Sequence, residues 1–246
     1  MNPELTLSIV SHGQRGLVQA LLGDLTKCGC TAQVIVTHNL ADASFGDADF
    51  QNLNIVQIHN PKPLGFGANH NQAFQQCQTA YFAVLNPDLR IARDPFPALL
   101  AAAKHRDFGA LGPLVKNRAG EIEDSARRFP TMARLIAKAL GLSTGRQDHS
   151  LSQPAPVDWV AGMFMLFESK TFARIGGFDE RYFLYYEDAD LCTRLWRQGL
   201  PVMIVPEAEV IHDAQRQSHR SLRYLKWHLA SMARYLWRYA GRLPRG

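Results

Sequence analysis

The sequence predicts an α/β fold built on a mixed, mostly parallel sheet flanked by helices. Two observations predict it. Short aliphatic runs bounded by turn residues alternate with segments of helical spacing, and those runs lack the in–out alternation of a sheet with one wet face. The chain has 246 residues, 46% of them hydrophobic and 20% charged, enough for one large α/β domain with a sizeable core.

The elements follow in order. Leu5–Val10 reads as a buried strand ended by Ser11-His12-Gly13, and Leu17, Ala20, Leu21 and Leu25 mark one face of a helix over Gly16–Leu25. Gln33–Thr37 and Leu53–Ile58 are strands, Gly67–Gln78 a helix and Tyr81–Leu85 a strand. Pro95–Lys104 is helical and Phe108–Leu111 a further strand. The Ser, Thr, Gly, Gln and Pro of Gly141–Pro156 make a surface loop before a strand at Val157–Val160 and an apolar run at Met163–Phe167. Ser169 is placed to cap a short helix ending at Gly176-Gly177, and Asp188–Gln198 is a helix terminated by Gly199. After a strand at Pro201–Val205, a last amphipathic helix runs from Ser218, with Leu222, Leu225, Leu229, Met232 and Leu236 at helical spacing.

Composition narrows the function classes. No run of about 18 apolar residues marks a membrane span, and the start lacks the basic and apolar regions of a secretion signal, so a cytoplasmic location is expected. Cys28, Cys30, Cys77 and Cys192 fit neither a disulfide framework nor a zinc spacing, and reduced thiols are expected. The net charge is +5, yet eight basic residues and no acidic one follow Asp213 (Arg216, Arg220, Arg223, Lys226, Arg234, Arg238, Arg242 and Arg245). The division expected is therefore a body over 1–215 and a basic helix over 216–246. Interleaved with Tyr224, Trp227, Tyr235, Trp237 and Tyr239, that helix suits an anionic membrane surface; the alternative packs its Leu/Met stripe on the body and turns the arginines to solvent. A nucleic-acid-binding module would share the basic tail but leaves the acidic cluster described next without a purpose, so no nucleic-acid partner is expected.

Four sites can carry chemistry. Asn86-Pro87-Asp88 follows a central strand, where a carboxylate points into the ligand crevice and can hold a divalent cation; it also reads as an ordinary turn. Gly65-Phe66-Gly67-Ala68-Asn69-His70-Asn71 lets backbone approach a ligand closely before a helix start. It is neither a dinucleotide fingerprint nor a P-loop. Glu187, Asp188 and Asp190 follow the aromatic run Tyr182–Tyr186, where desolvation makes a carboxylate more basic; helix-start acids are the plainer reading. His212 can complete a metal site with Asp88.

Taken together, Leu64–Asn69, Leu85–Asp88, Trp159-x-x-Gly162, Gly176-Gly177-Phe178-Asp179-Glu180 and Glu187-Asp188-Ala189-Asp190 resemble, in that order, the family 2 inverting glycosyltransferases of the GT-A fold, particularly the bacterial rhamnosyltransferase-like group. The resemblance spans Leu7 to His212. It implies a nucleotide-sugar donor, a glycan or lipid-linked acceptor in polysaccharide synthesis, and a Mg²⁺ or Mn²⁺ cofactor. It places Asp88 at the metal-binding DxD-type carboxylate, with Asn86 at the motif's first position, and His212 as a further metal ligand. Asp188 resembles the general base, with Glu187 the alternative. Ser11, Asn39, Gly65, Gly67, Asn69, Trp159 and Gly162 would line the donor and acceptor pockets, and Arg127 or Arg128 would meet phosphate. Where relatives carry Asp-Asn-x-Ser-x-x-Asp after the second strand, this chain reads Thr37-His38-Asn39-Leu40-Ala41-Asp42, so base specificity does not carry over. A lipid-linked acceptor would place the enzyme peripherally on the inner membrane face. Oligomeric state is not legible.

Overall fold

The computed structural model describes residues 4–46, 50, 53–105, 107–142, 144–147, 152–213 and 222–244. Strand β1 (Leu5–Ser11) leads through α1 (Arg15–Lys27) to β2 (Ala32–His38), and β3 (Leu53–His59) leads through α2 (Phe66–Phe74) to β4 (Tyr81–Leu85). Then come β5 (Leu89–Arg90), α3 (Phe96–His105), β6 (Ala110–Lys116), β7 (Ala126–Arg127) and α4 (Met132–Ala139). The chain continues through β8 (Ala155–Val157), β9 (Trp159–Val160), β10 (Phe164–Glu168), α5 (Ser169–Arg174), α6 (Glu187–Arg197), β11 (Val202–His212) and α7 (Leu222–Tyr239).

The main sheet has the order β3-β2-β1-β4-β10-β6-β11-β5, with β8 paired to β11. The first four strands are parallel, and β11 is parallel to β6. Strand β10 runs antiparallel to both its neighbours, β4 and β6, which makes the sheet mixed as expected. Helices cover both faces because strand side chains alternate. Tyr81, Ala83 and Leu85 of β4 join a core that holds α1 and α3, while Phe82 and Val84 join the opposite core with Phe172 of α5 and Leu191 and Leu195 of α6.

Several boundaries differ from the sequence reading. The strand expected at Val157–Val160 divides, because Asp158 turns its carboxylate to the backbone N–H of Phe129 (2.8 Å) and β9 leaves to pair with β7. The helix of α2 ends at Phe74, short of Gln78. Ser169 is the first residue of α5 and makes no capping bond; its hydroxyl meets the Cys77 thiol at 3.4 Å. Gly199 ends α6 in the left-handed region, φ +73°, as expected. All four cysteines are free thiols.

The last helix corrects the alternative in which its leucines pack inward. Tyr235, Tyr239 and Ser231 form the buried face, whereas Leu222, Leu225 and Leu229 point outward. Hydroxyl groups decide this: Ser231 donates to the Leu184 carbonyl (2.9 Å), Tyr235 pairs with Thr193 (2.7 Å) and Tyr239 donates to Asp190 (2.8 Å). The helix start expected at Ser218 and the charges of Arg216, Arg220 and Arg245 lie outside the described residues. No helix among the described residues is long and apolar enough to cross a membrane.

Candidate functional site

The site gathers where the carboxyl ends of the parallel strands meet the start of α6. Asp88 follows β4 in the turn that opens β5, and the pairing of β5 with β11 sets Leu89 opposite His212. Asp213 locks the register by donating its N–H to the Asp88 carbonyl (2.9 Å). Nε2 of His212 then lies 3.3 Å from Asp88 Oδ2, while Nδ1 lies 2.6 Å from Glu123 Oε2. Burial alone would disfavour a charged imidazole, but the hydrogen bonds and charges of both carboxylates outweigh it and lift the His212 pKa to about 9.

The residues expected to hold a metal are thus brought together, and their chemistry fits one. Oδ1 of Asp88 is buried without a hydrogen-bond partner, as a ligand atom awaiting a cation would be. A carboxylate oxygen and an imidazole nitrogen are a donor pair that would suit a divalent cation such as Mn²⁺ or Mg²⁺. Glu123 takes the place of the outer carboxylate that orients a ligating histidine. Sequence reasoning missed it: 89 residues separate it from His212, and only the turn between β6 and β7 carries it there. Among the described residues no cluster of three such side chains forms a complete cage by itself.

On the other wall stand Glu187 and Asp188. Tyr185 and Tyr186 immediately before them both adopt the left-handed region, at φ 69° and 67°. Such strain in non-glycine residues costs about 1–3 kcal/mol each and marks places where surrounding packing imposes a functional geometry. The turn aims Asp188 at Gly162: its Oδ2 accepts the Gly162 N–H (2.8 Å) and its Oδ1 accepts the N–H of Ala189 (2.8 Å). Gly162 is closely packed: a Cβ there would sit 3.2 Å from the Phe66 ring, which would have to shift slightly, and in ordinary contact with the Asp188 Cβ at 3.5 Å. Desolvation raises the pKa of both acids; the charge of Asp188 raises Glu187 further, whereas the N–H groups of Gly162 and Ala189 and the charge of Arg127 pull Asp188 partly back. Glu187 is 4% exposed with Oε2 unpartnered, whereas Asp188 keeps part of its surface open. Asp188 is therefore the better placed of the two to meet a second substrate.

The two walls are physically connected. Asn86 donates its N–H to the Met163 carbonyl (2.8 Å), and the neighbouring Gly162 holds Asp188. Arg127 also belongs here. It pairs with Trp159 across β7–β9, lies 5.1 Å over the indole and adds positive potential at Asp188. Arg128 instead faces Asp158 at 3.8 Å. The ring of Trp159 is buried, and its Nε1 donates to the Arg128 carbonyl (3.0 Å).

The glycine–asparagine loop packs closely on another segment of the chain. A Cβ on Gly65 would lie 2.6 Å from the Phe183 carbonyl oxygen, and one on Gly67 would lie 2.6 Å from the Phe178 Cβ. What approaches these glycines closely is the segment before α6. Asn71 completes the clamp, donating to the Phe178 carbonyl and accepting the Phe178 N–H, both at 2.9 Å. Asn39 and Asn69 commit their amides to the same loop. Asn39 accepts the Leu64 N–H (2.8 Å) and donates to the Leu64 carbonyl (3.0 Å), while Asn69 donates to the Gly65 carbonyl (2.9 Å). Ser11 caps the approach to α1, accepting the Gln14 N–H at 3.1 Å. These residues fix the backbone of the loop.

Asp190, two residues beyond Asp188, serves the fold. It is wholly buried and meets Arg194 (2.7 Å), Arg238 (2.9 Å) and the Tyr239 hydroxyl (2.8 Å).

Comparison with known proteins gives concordant results. Residues 32–234 match the family described as "Glycosyltransferase like family 2". The chain is 32% identical over 241 residues to rhamnosyltransferase WbbL of Escherichia coli K12, covering 93% of this chain and 90% of that one. It is 37% identical over 147 residues to the N-acetylglucosaminyl-diphospho-decaprenol L-rhamnosyltransferase of Mycobacterium tuberculosis, covering 56% of this chain and 48% of that one. Among solved structures, GalNAc-T7 with UDP, GalNAc and Mn²⁺ superposes with a TM-score of 0.68 at 14% identity, covering 96% of this chain and 48% of that one. The mannosyltransferase PcManGT of Pyrobaculum calidifontis, in complex with GDP-Man and Mn²⁺, gives 0.65 at 14% identity, covering 97% and 65%. These likenesses show the fold, which is of the GT-A type.

Proposed function

The chain belongs to glycosyltransferase family 2, and from that membership we propose that it moves rhamnose from a nucleoside-diphosphate donor to a lipid-linked saccharide in cell-surface polysaccharide synthesis. The names of the Escherichia coli and Mycobacterium tuberculosis relatives support the sugar, and the latter supports the lipid-linked acceptor. We read residues 1–215 as the transferase domain and the basic helix beyond as an appendage that keeps the enzyme peripherally at the cytoplasmic face of the inner membrane.

One observation carries the mechanism: the backbone of Gly162 and Met163 ties the Asn86–Asp88 turn to Asp188. A donor held on one wall therefore meets an acceptor activated on the other. Asp188, whose two carboxylate oxygens each accept one backbone N–H, takes the proton of the acceptor hydroxyl. That oxygen attacks the anomeric carbon as the bond to the diphosphate breaks, in a single displacement with inversion. Burial beside Glu187 makes Asp188 a stronger base than an exposed aspartate. Asp88 and His212 would hold Mg²⁺ or Mn²⁺, which supplies charge neutralisation for the departing diphosphate. Arg127 adds positive potential on the same side as Trp159.

The test is thermal stabilisation of purified protein by a panel of nucleotide sugars, with and without Mn²⁺ or Mg²⁺. A rise in Tm that needs both a rhamnose nucleotide and the cation is expected. A panel in which another sugar nucleotide stabilises more strongly would overturn the donor assignment. Stabilisation that ignores the cation would overturn the role given to Asp88 and His212.

A further inference from the structure

A surface helix of a globular protein normally turns its apolar face to the core. Helices α4 and α7 both break this rule. On α4, capped where Thr131 Oγ1 accepts the Arg134 N–H at 3.1 Å, no residue is buried, and Ile136 and Leu140 are 53% and 67% exposed. Met132 and Leu142 extend the same apolar surface. On α7 the tyrosine face is fastened inward, leaving Leu225 and Leu229 at 52% and 47% exposure, with Leu222 and Trp237 standing out further. The two helices present these apolar residues within one electrostatic neighbourhood, the Lys138 charge on α4 acting with burial, the larger cause, to lower the pKa of His228 on α7. His228 packs on Tyr185 and Tyr186 at 5.3 and 5.5 Å, so this surface borders the strained turn that aims Asp188.

Charge identifies the occupant. Neither helix contains an acid, and Lys138, Arg223, Lys226 and Arg234 are interleaved with the apolar residues along them, while Arg134 is held by the Phe129 carbonyl (2.9 Å). A second copy of the chain docked about a two-fold axis would set these like charges against one another. An anionic lipid surface would accept the leucines among its acyl chains and the basic residues among its headgroups. We infer that α4 and α7 together form one docking face for an anionic bilayer, with α4 an equal partner of the C-terminal helix. The consequence for the reaction rests on the lipid-linked acceptor proposed above: docking by this face brings the Tyr185–Asp188 turn to the headgroup level.

Co-sedimentation with vesicles tests the inference. The wild-type protein should sediment with phosphatidylglycerol-rich vesicles and stay in the supernatant with phosphatidylcholine alone. I136S/L140S on α4 and L225S/L229S on α7 should each weaken that partition by about tenfold or more, with circular dichroism and Tm showing the fold intact. Partition of the α4 variant equal to wild type would remove α4 from the face. A wild-type dimer in solution that I136S/L140S turns into a monomer would replace the bilayer with a second copy. Transfer to a water-soluble acceptor analogue should be unchanged in both variants. Loss of vesicle binding with that transfer retained isolates the docking face, whereas absence of transfer in the wild type itself would strike the proposed reaction and leave the vesicle result standing.

Discussion

Helix α6 begins with two acidic sites that lie two residues apart and are treated oppositely. Asp190 is buried and fully answered, with two arginines and a tyrosine hydroxyl at hydrogen-bonding distance and a fourth contact from Tyr182 at 3.5 Å. Glu187 and Asp188 are also withdrawn from water, yet among the described residues neither forms an ion pair; Glu187 has an unpartnered oxygen, and Asp188 accepts from the backbone N–H groups of Gly162 and Ala189. A fold that needed three structural carboxylates would have neutralised all of them. Leaving two adjacent acids buried without a counter-charge raises the pKa of both, and stores basicity where the strained Tyr185–Tyr186 turn presents it.

Substitutions can break this contrast. Asp188→Asn should lower kcat by about 10²–10⁴-fold while leaving nucleotide-sugar binding unchanged, since general-base catalysis contributes on that scale. Stopped assays beside donor-binding titrations separate the two, and an equal loss in Glu187→Gln with a normal Asp188→Asn would shift the base by one residue. Asp190→Asn should instead act on stability, costing about 3–5 kcal/mol by removing the counter-charge of the largely buried Arg194 and leaving Arg238 with Asp179 alone. Denaturant unfolding would show it, and a stability loss below that of an exposed ion pair would mean that the network is not what holds α7 in place.

Smaller effects sharpen the comparison. Glu123→Gln should weaken Mn²⁺ binding by about 10–100-fold, the usual range for the outer partner of a ligating histidine, measured by electron paramagnetic resonance without any substrate. Unaltered affinity would leave Glu123 as a neutral neighbour of His212. Glu187→Gln should raise stability by on the order of 1 kcal/mol at neutral pH. The sign follows from burial: folding raises the pKa of Glu187, so the native state holds its proton more tightly than the unfolded chain. Stability then falls as pH rises from the ordinary carboxylate range through the folded value, and the variant should flatten that slope. A Tm against pH curve identical to wild type would deny that the strain resides in this residue.

Much of the fold was legible because strands such as Tyr81–Leu85 are buried on both faces and must be continuously apolar. The glycine-bearing loop and the Gly176–Glu180 segment were visible as motifs. Their mutual grip through Asn71, Gly65 and Gly67 was not, because contacts across 107 residues leave no local periodicity. Helix α4 escaped notice for a related reason: its apolar stripe is short, lies before a polar loop, and finds no core that would have lengthened it.

By itself the sequence determined the alternation of strands and helices, the placing of Asp88 after a central strand and the crowding of acids at the start of α6, all of which depend on nearest neighbours and side-chain period. Tertiary structure alone decided which acid is answered and which is left exposed to its neighbour, and that Glu123 stands behind His212. It also decided that α7 buries its tyrosines and shows its leucines. A helix with an apolar stripe and a hydroxyl-bearing stripe can dock by either. The choice went to the stripe whose hydroxyls meet buried Asp190, Thr193 and the Leu184 carbonyl, groups that would be costly to leave unpaired.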